Sequence, residues 1–275
     1  MQIAWEEVET HPIERGQSVA EYMASLPNVE KSIEPDNGCV GCMDGGLGQG
    51  TRQNPKCGIR VGGSGMLLKG EAEDRYIEWL HGQGAHTLTS HPTCGAALRY
   101  TVEVLTEQLT KGGDSRQEAE RKAIKMAPAL AEKWGSQRVE ALAQKAGLKY
   151  QHITELARPM NFHPEWAIYV VEGTDFYPLN DDRLPFGFVV SDLPNNRQHV
   201  SDQILIAAKI AFSEHGWGSR FSAHAPFLVV LMGASVESAT QMATEYQSVK
   251  EKYRDLVRMD LVDRSQLVDP TRVRT

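Results

Sequence analysis

Three short segments decide how this chain reads: Gly38-Cys39-Val40-Gly41-Cys42-Met43-Asp44-Gly45-Gly46, Cys57-Gly58-Ile59-Arg60-Val61-Gly62-Gly63-Ser64-Gly65 and Leu88-Thr89-Ser90-His91-Pro92-Thr93-Cys94-Gly95. All four cysteines of the 275-residue chain lie in them. The first reads as a buried strand over 38–44 that delivers Cys42 at its end. The second, 57–65, reads as a strand running into a tight backbone approach, because only glycine lets main chain come so close. The third is a strand over 85–90 that ends at His91. Between them, 45–56 is Gly-rich loop without the spacing of a phosphate cradle, and 71–80 is a helix closed by Gly82 or Gly84. A further helix covers 95–109. Strand, helix, strand, helix is the order of a parallel α/β sheet. Ligands of such sheets gather at the carboxyl ends of the strands, where Cys42 and His91 both fall.

Two thiolates and an imidazole are a ligand set that suits zinc. His91 and Cys94 flank the Pro92-Thr93 turn, so both can converge on one ion, and Cys42 closes a third corner. A fourth position is then left for water, as in a catalytic zinc site. Cys39 offers a rival, since Cys39-x-x-Cys42 with His91-x-x-Cys94 would make a closed structural site. In a strand, however, Cys39 and Cys42 point to opposite faces. A third reading leaves four unliganded thiols in a core. The spacing favours metal over bare thiols and an open site over a closed one. Cys57 reads as a buried thiol, with a redox role as its alternative.

These residues resemble the beta-class carbonic anhydrases, which carry C-x-D-x-R, R-N-A-G-N and H-x-x-C-G in this order. The matching pieces here are Cys42-Met43-Asp44-Gly45-Gly46, Arg60-Val61-Gly62-Gly63-Ser64 and His91-Pro92-Thr93-Cys94-Gly95, and the likeness covers about residues 38–110. It implies zinc on Cys42, His91 and Cys94, and hydroxide adding to a small carbon electrophile. Carbon dioxide is the first candidate, with carbonyl sulfide or carbon disulfide as others. It also implies that Asp44 orients or deprotonates the water, that Gly62 and Gly63 line the pocket, and that the chain forms a homodimer. The family's arginine is Gly46 here, and both asparagines of the second motif are gone. Asp44, untethered, becomes a candidate fourth ligand, and Arg52 or Arg60 a candidate substitute for the arginine. A carbonic-anhydrase-like zinc protein that has lost activity and serves in binding or assembly is the alternative.

The rest of the chain reads as scaffold. Residues 1–37 form an N-terminal arm with a short helix over 18–26. Residues 117–147 are helical with a break at Gly135, adding helical segments after residue 110. Strands are expected over 150–160, 166–173 and 225–233, loops between the first two and over 176–196, and helices over 201–215 and 235–257. A polar tail occupies 261–275. No linker stands out, so 38–260 reads as a single α/β domain with a mainly parallel central sheet flanked by helices. The net charge of −7, with no basic block, argues against nucleic acid as the partner. No apolar run reaches the ~20 residues of a membrane span. The first residues lack the basic start and apolar core of a signal peptide, so the cytoplasm is the expected compartment and a small molecule the expected partner.

Overall fold

The computed structural model describes residues 36–44, 57–154, 167–174, 187–212, 221–223 and 226–267. The helix expected over 18–26, the loop at 45–56 with Gly46 and Arg52, and the end of the tail lie outside these. The chain divides into two compact units: Pro35–Met160 forms one, and the second contains Asn161–Thr275. Each holds a four-stranded, all-parallel sheet. The mainly parallel α/β architecture is therefore present, and the body read as one domain over 38–260 carries two sheets.

In the first unit the strands are β1 (Asp36–Cys42), β2 (Cys57–Val61), β3 (Thr87–Ser90) and β4 (Lys149–His152), ordered β2-β1-β3-β4. The last four residues of β1 and all of β2 and β3 are buried. This is why the strands read as short continuous runs rather than alternating ones: a parallel sheet is covered on both faces. Helices α1 (Glu71–Gly82), α2 (Gly95–Lys111), α3 (Arg116–Met126) and α4 (Ala131–Ala146) complete the unit. Leu105 of α2 and Ala123 of α3 pack with Ala127, flanked by Leu98, Val102, Leu109, Leu130 and Trp134. The helical segments after residue 110 thus build a core against α2.

The break between α3 and α4 is not at Gly135. It falls at the 3₁₀ turn Ala127–Ala129, where Pro128 cannot donate to an α-helical ladder. Gly135 instead lies buried inside α4, against α2. A Cβ built on it would sit 2.4 Å from Ala97 Cβ, so this glycine serves close helix packing.

In the second unit the strands are β5 (Ala167–Glu172), β6 (Gly187–Asp192), β7 (Phe227–Gly233) and β8 (Val257–Asp263), ordered β6-β5-β7-β8. Its helices are α5 (Arg197–Phe212), α6 (Val236–Glu245), α7 (Gln247–Tyr253) and the short α8 (Arg264–Leu267). Both sheets run second, first, third, fourth strand, a likeness that no sequence repeat announces. Two expectations fail here. The stretch read as loop over 176–196 contains β6, whose Gly-Phe-Val-Val-Ser-Asp is buried for five of its six residues. The long helix over 235–257 ends at Tyr253, because Arg254 takes φ +50. The chain then pairs with β7 from Phe227↔Val257 to Gly233↔Asp263, making a strand of what read as helix end and tail.

Candidate metal centre

The three ligand candidates meet at the carboxyl ends of β1 and β3. Cys42 closes β1, His91 follows β3, and Cys94 is the N-cap of α2. Their ligand atoms lie within 4.8 Å of one another, and all three residues are buried. The Cys42 and Cys94 sulfurs are 3.9 Å apart. Two sulfurs at ~2.3 Å from a tetrahedral zinc would be about 3.8 Å apart, so the pair already has the spacing of metal ligands. Neither cysteine is in a disulfide.

His91 is oriented for the same purpose. Its Nδ1 donates to the Pro92 carbonyl oxygen at 2.8 Å, which leaves Nε2 as the nitrogen available to a metal ion. Nε2 is buried and has no hydrogen-bond partner, a costly state for a polar atom unless something binds it. A ring nitrogen fixed by a backbone carbonyl with the other left without a partner is how a metal-ligating histidine is prepared. The strand end is held too: Ser90 Oγ lies 2.8 Å from both Tyr150 Oη and His152 Nδ1 of β4.

Cys42 is the sulfur held as a thiolate. It takes a hydrogen bond from the Cys94 thiol, and although burial opposes the charge, Cys94, His91 and the Asp44 backbone N–H bring its pKa well below the usual range. The Gly63 amide also donates to Cys42 Sγ, at 3.2 Å. Burial alone would push the His91 imidazole down. The adjacent Cys42 thiolate, with Asp44 and the Pro92 carbonyl, raises it to about 9. The Cys94 thiol, donating to Cys42, is pushed up. The cluster without an ion thus carries a thiolate–imidazolium pair and one thiol, and a cation would replace both protons.

The supports come from β2 and the turn after it. Arg60 is 1% exposed. Its Nε donates to the Cys42 carbonyl at 2.7 Å, and its NH2 group donates to the Asp44 carbonyl. Of the two arginines named as substitutes, Arg60 therefore braces the backbone that carries Asp44, while Arg52 lies outside the described residues. The turn Gly62–Gly65 places Gly63, Ser64 and Gly65 in left-handed conformation at φ 59, 52 and 83. Ser64 and Thr93 are two of the four non-glycine residues with positive φ among those described, and both border the cluster, where strain of this kind tends to collect.

Asp44 is buried beside the cluster, but its carboxylate is not among the atoms drawn within 4.8 Å. Cys39 is also outside the group. It faces the other side of β1, where Cys57 is its neighbour, so the closed four-ligand set is not assembled. Sequence reasoning missed the left-handed backbone of Ser64 and the backbone grip of Arg60. Only the glycines around Ser64 hinted at the first, and nothing local marks the second. Tyr76, whose ring packs where a Cβ on Gly65 would fall, left no signal either.

The residues present could hold a metal ion. No family model, curated protein or solved structure matches the chain. Among the described residues no helix is long and apolar enough to cross a membrane.

Proposed function

We propose that this chain is a zinc enzyme that adds water to a small, linear carbon electrophile, with carbon dioxide hydration first and carbonyl sulfide or carbon disulfide hydrolysis as its neighbours. The observation that carries this reading is the buried His91 Nε2, without a hydrogen-bond partner, beside two sulfurs at ligand spacing. Zinc in such a donor set, when bound, lowers the pKa of water towards ~7 and supplies hydroxide at neutral pH. The chain's own residues do the rest. Asp44 is the proton acceptor, at a carboxylate oxygen, and Arg60 keeps its backbone in place through the Asp44 carbonyl. Gly62 and Gly63 supply the backbone wall beside Cys42, and the space a side chain on Gly63 would need is taken by Ala96. Three protein donors, with Asp44 outside the immediate group, favour an open fourth position over a capped metal.

The resemblance to beta-class carbonic anhydrases extends this reading to a cytoplasmic homodimer, which sedimentation at micromolar concentration checks; a monomer would count against it. The chemistry is tested by zinc analysis of the purified full chain, followed by stopped-flow hydration of carbon dioxide and hydrolysis of the two sulfur analogues. Near-stoichiometric zinc and a rate that Asp44→Ala removes while zinc stays are the expected results. Absence of zinc overturns the site. A zinc-loaded chain with no rate above buffer on any of the three overturns the enzyme and leaves a carbonic-anhydrase-like binding or assembly component.

A further inference from the structure

A second sulfur pair lies on the face of the first sheet opposite the metal-competent cluster. Side chains alternate along β1, so Cys39 and Gly41 face one way and Val40 and Cys42 the other. Cys57 of β2 occupies the space that Gly41 leaves: a Cβ built on Gly41 would sit 3.0 Å from Cys57 Cβ and 3.1 Å from its Sγ. The Cys57 sulfur lies 3.8 Å from Thr89 Oγ1, and Cys39, on the face of β1 that Gly41 shares, is near enough for the two thiols to influence each other's ionisation. Both are free and fully buried. The hydration chemistry uses neither, and apolar packing alone does not call for two adjacent thiols.

The pair is polarised. The neighbouring Cys39 thiol, helped by the Arg60 guanidinium and Thr89, lowers the Cys57 pKa against the effect of burial. The Cys39 thiol is itself raised by Cys57 and by its own burial. One sulfur is thus disposed to attack and the other to resolve.

We propose that Cys39 and Cys57 form a peroxide-responsive dithiol that closes into a disulfide between β1 and β2. The Cys57 thiolate attacks one oxygen of hydrogen peroxide, the O–O bond breaks, and hydroxide leaves to take up a proton. Cys57 is then a sulfenic acid. The Cys39 sulfur attacks the Cys57 sulfur, the S–O bond breaks, and the hydroxyl leaves as water with the Cys39 proton. Two thiols lose two electrons and the peroxide is reduced to two waters. A small neutral oxidant suits buried sulfurs, which a bulky disulfide cannot reach. The same two strands carry Cys42 and Arg60, so closure would act on the supports of the metal cluster. That consequence rests on the metal reading; closure itself does not.

The test uses the full chain with Cys42→Ser and Cys94→Ser, which leaves Cys39 and Cys57 as its only cysteines. After hydrogen peroxide, alkylation under denaturing conditions and digestion, mass spectrometry should find both thiols lost together. It should also find a linked Cys39–Cys57 peptide that dithiothreitol reopens. Cys39→Ser should instead leave Cys57 oxidised without a link. Thiols that persist, or that oxidise singly with no link, overturn the proposal. If the double variant does not fold, the native chain decides: a Cys42–Cys94 link with Cys39 and Cys57 still alkylated overturns it as well. A native chain that forms the Cys39–Cys57 link but binds no zinc refutes the metal reading alone.

Discussion

The Gly63 amide donates a hydrogen bond to the Cys42 sulfur at 3.2 Å, from a backbone conformation (φ 59) that glycine supplies without strain. A Cβ at this position would lie 2.4 Å from Ala96 Cβ. The hydrogen bond and the turn therefore depend on the same missing side chain. Gly63→Ala should weaken zinc binding by about 10- to 100-fold, the range for losing a group that supports a metal ligand. Competition against a chromophoric chelator measures it, and an unchanged affinity would remove the amide from the site's support.

Ligand identity is separable from cysteine content. Cys42→Ser, His91→Ala and Cys94→Ser should each purify without near-stoichiometric zinc, whereas Cys39→Ser should keep it, because Cys39 lies outside the cluster. Stripping zinc from the native chain with a chelator should lower its unfolding temperature, and adding zinc back should restore it, since an ion bound only by the folded state stabilises that state. Zinc lost from Cys39→Ser would mean a closed site instead.

Gly135→Ala should destabilise the first unit even though alanine is the better helix former. The propensity gain is about 1 kcal/mol. Against it stands a Cβ placed 2.4 Å from Ala97 Cβ and 3.3 Å from Ala97 Cα, and overpacking of this kind costs about 1–3 kcal/mol. Urea unfolding should show a net loss of about 1 kcal/mol, the difference between the two effects. A gain would mean that α2 and α4 separate at little cost.

Glu73 gives the fold an acid-sensitive point. The residue is 8% exposed, pairs with Arg138, and receives Lys145 Nζ at 2.7 Å. Arg138 also holds the Met66 and Leu68 carbonyls, tying α4 to the segment after the Gly62–Gly65 turn. Burial raises the Glu73 carboxyl, but the hydrogen bonds and charges of Arg138 and Lys145 outweigh it and the pKa is lowered. The folded-state pKa lies below the unfolded one, so the stabilisation is complete above the unfolded value of about 4.3 and fades as pH falls through the folded value. Glu73→Gln should cost about 2 kcal/mol at neutral pH and flatten the loss of stability on acidification. Denaturation midpoints at neutral pH and about pH 3 provide the check; an unchanged acid limb would rule Glu73 out as its source.

Much of the first unit was legible because its signals are local. Gly-interrupted apolar runs marked β1 and β2, α1 ends at Gly82 as expected, and the His91-Pro92-Thr93-Cys94 turn placed two ligand candidates by spacing alone. The misreadings share a cause: the deciding partner was far away in sequence. Gly135 looked like a helix breaker because its role depends on Ala97, and Pro128 broke the helix instead. β8 looked like helix end and tail because Val257–Asp263 becomes a strand only by pairing with β7. β6 is a short apolar run between loop-forming residues, and periodicity cannot separate such a run from loop.

By itself the sequence determined the class of fold and the chemical identity of the donors, since hydrophobic periodicity, turn residues and thiol or imidazole side chains are properties of the residues themselves. It also set Cys39 against Cys42, through the two-residue alternation of a strand. Only the tertiary structure decided that the described strands form two sheets, that Cys39 neighbours Cys57 rather than the cluster, and that Arg60 grips the backbone of Cys42 and Asp44. Each of these depends on strand register and on which buried polar group finds which partner. Those are settled by packing the whole unit at once, because a buried donor or acceptor must be satisfied by whatever the fold brings beside it.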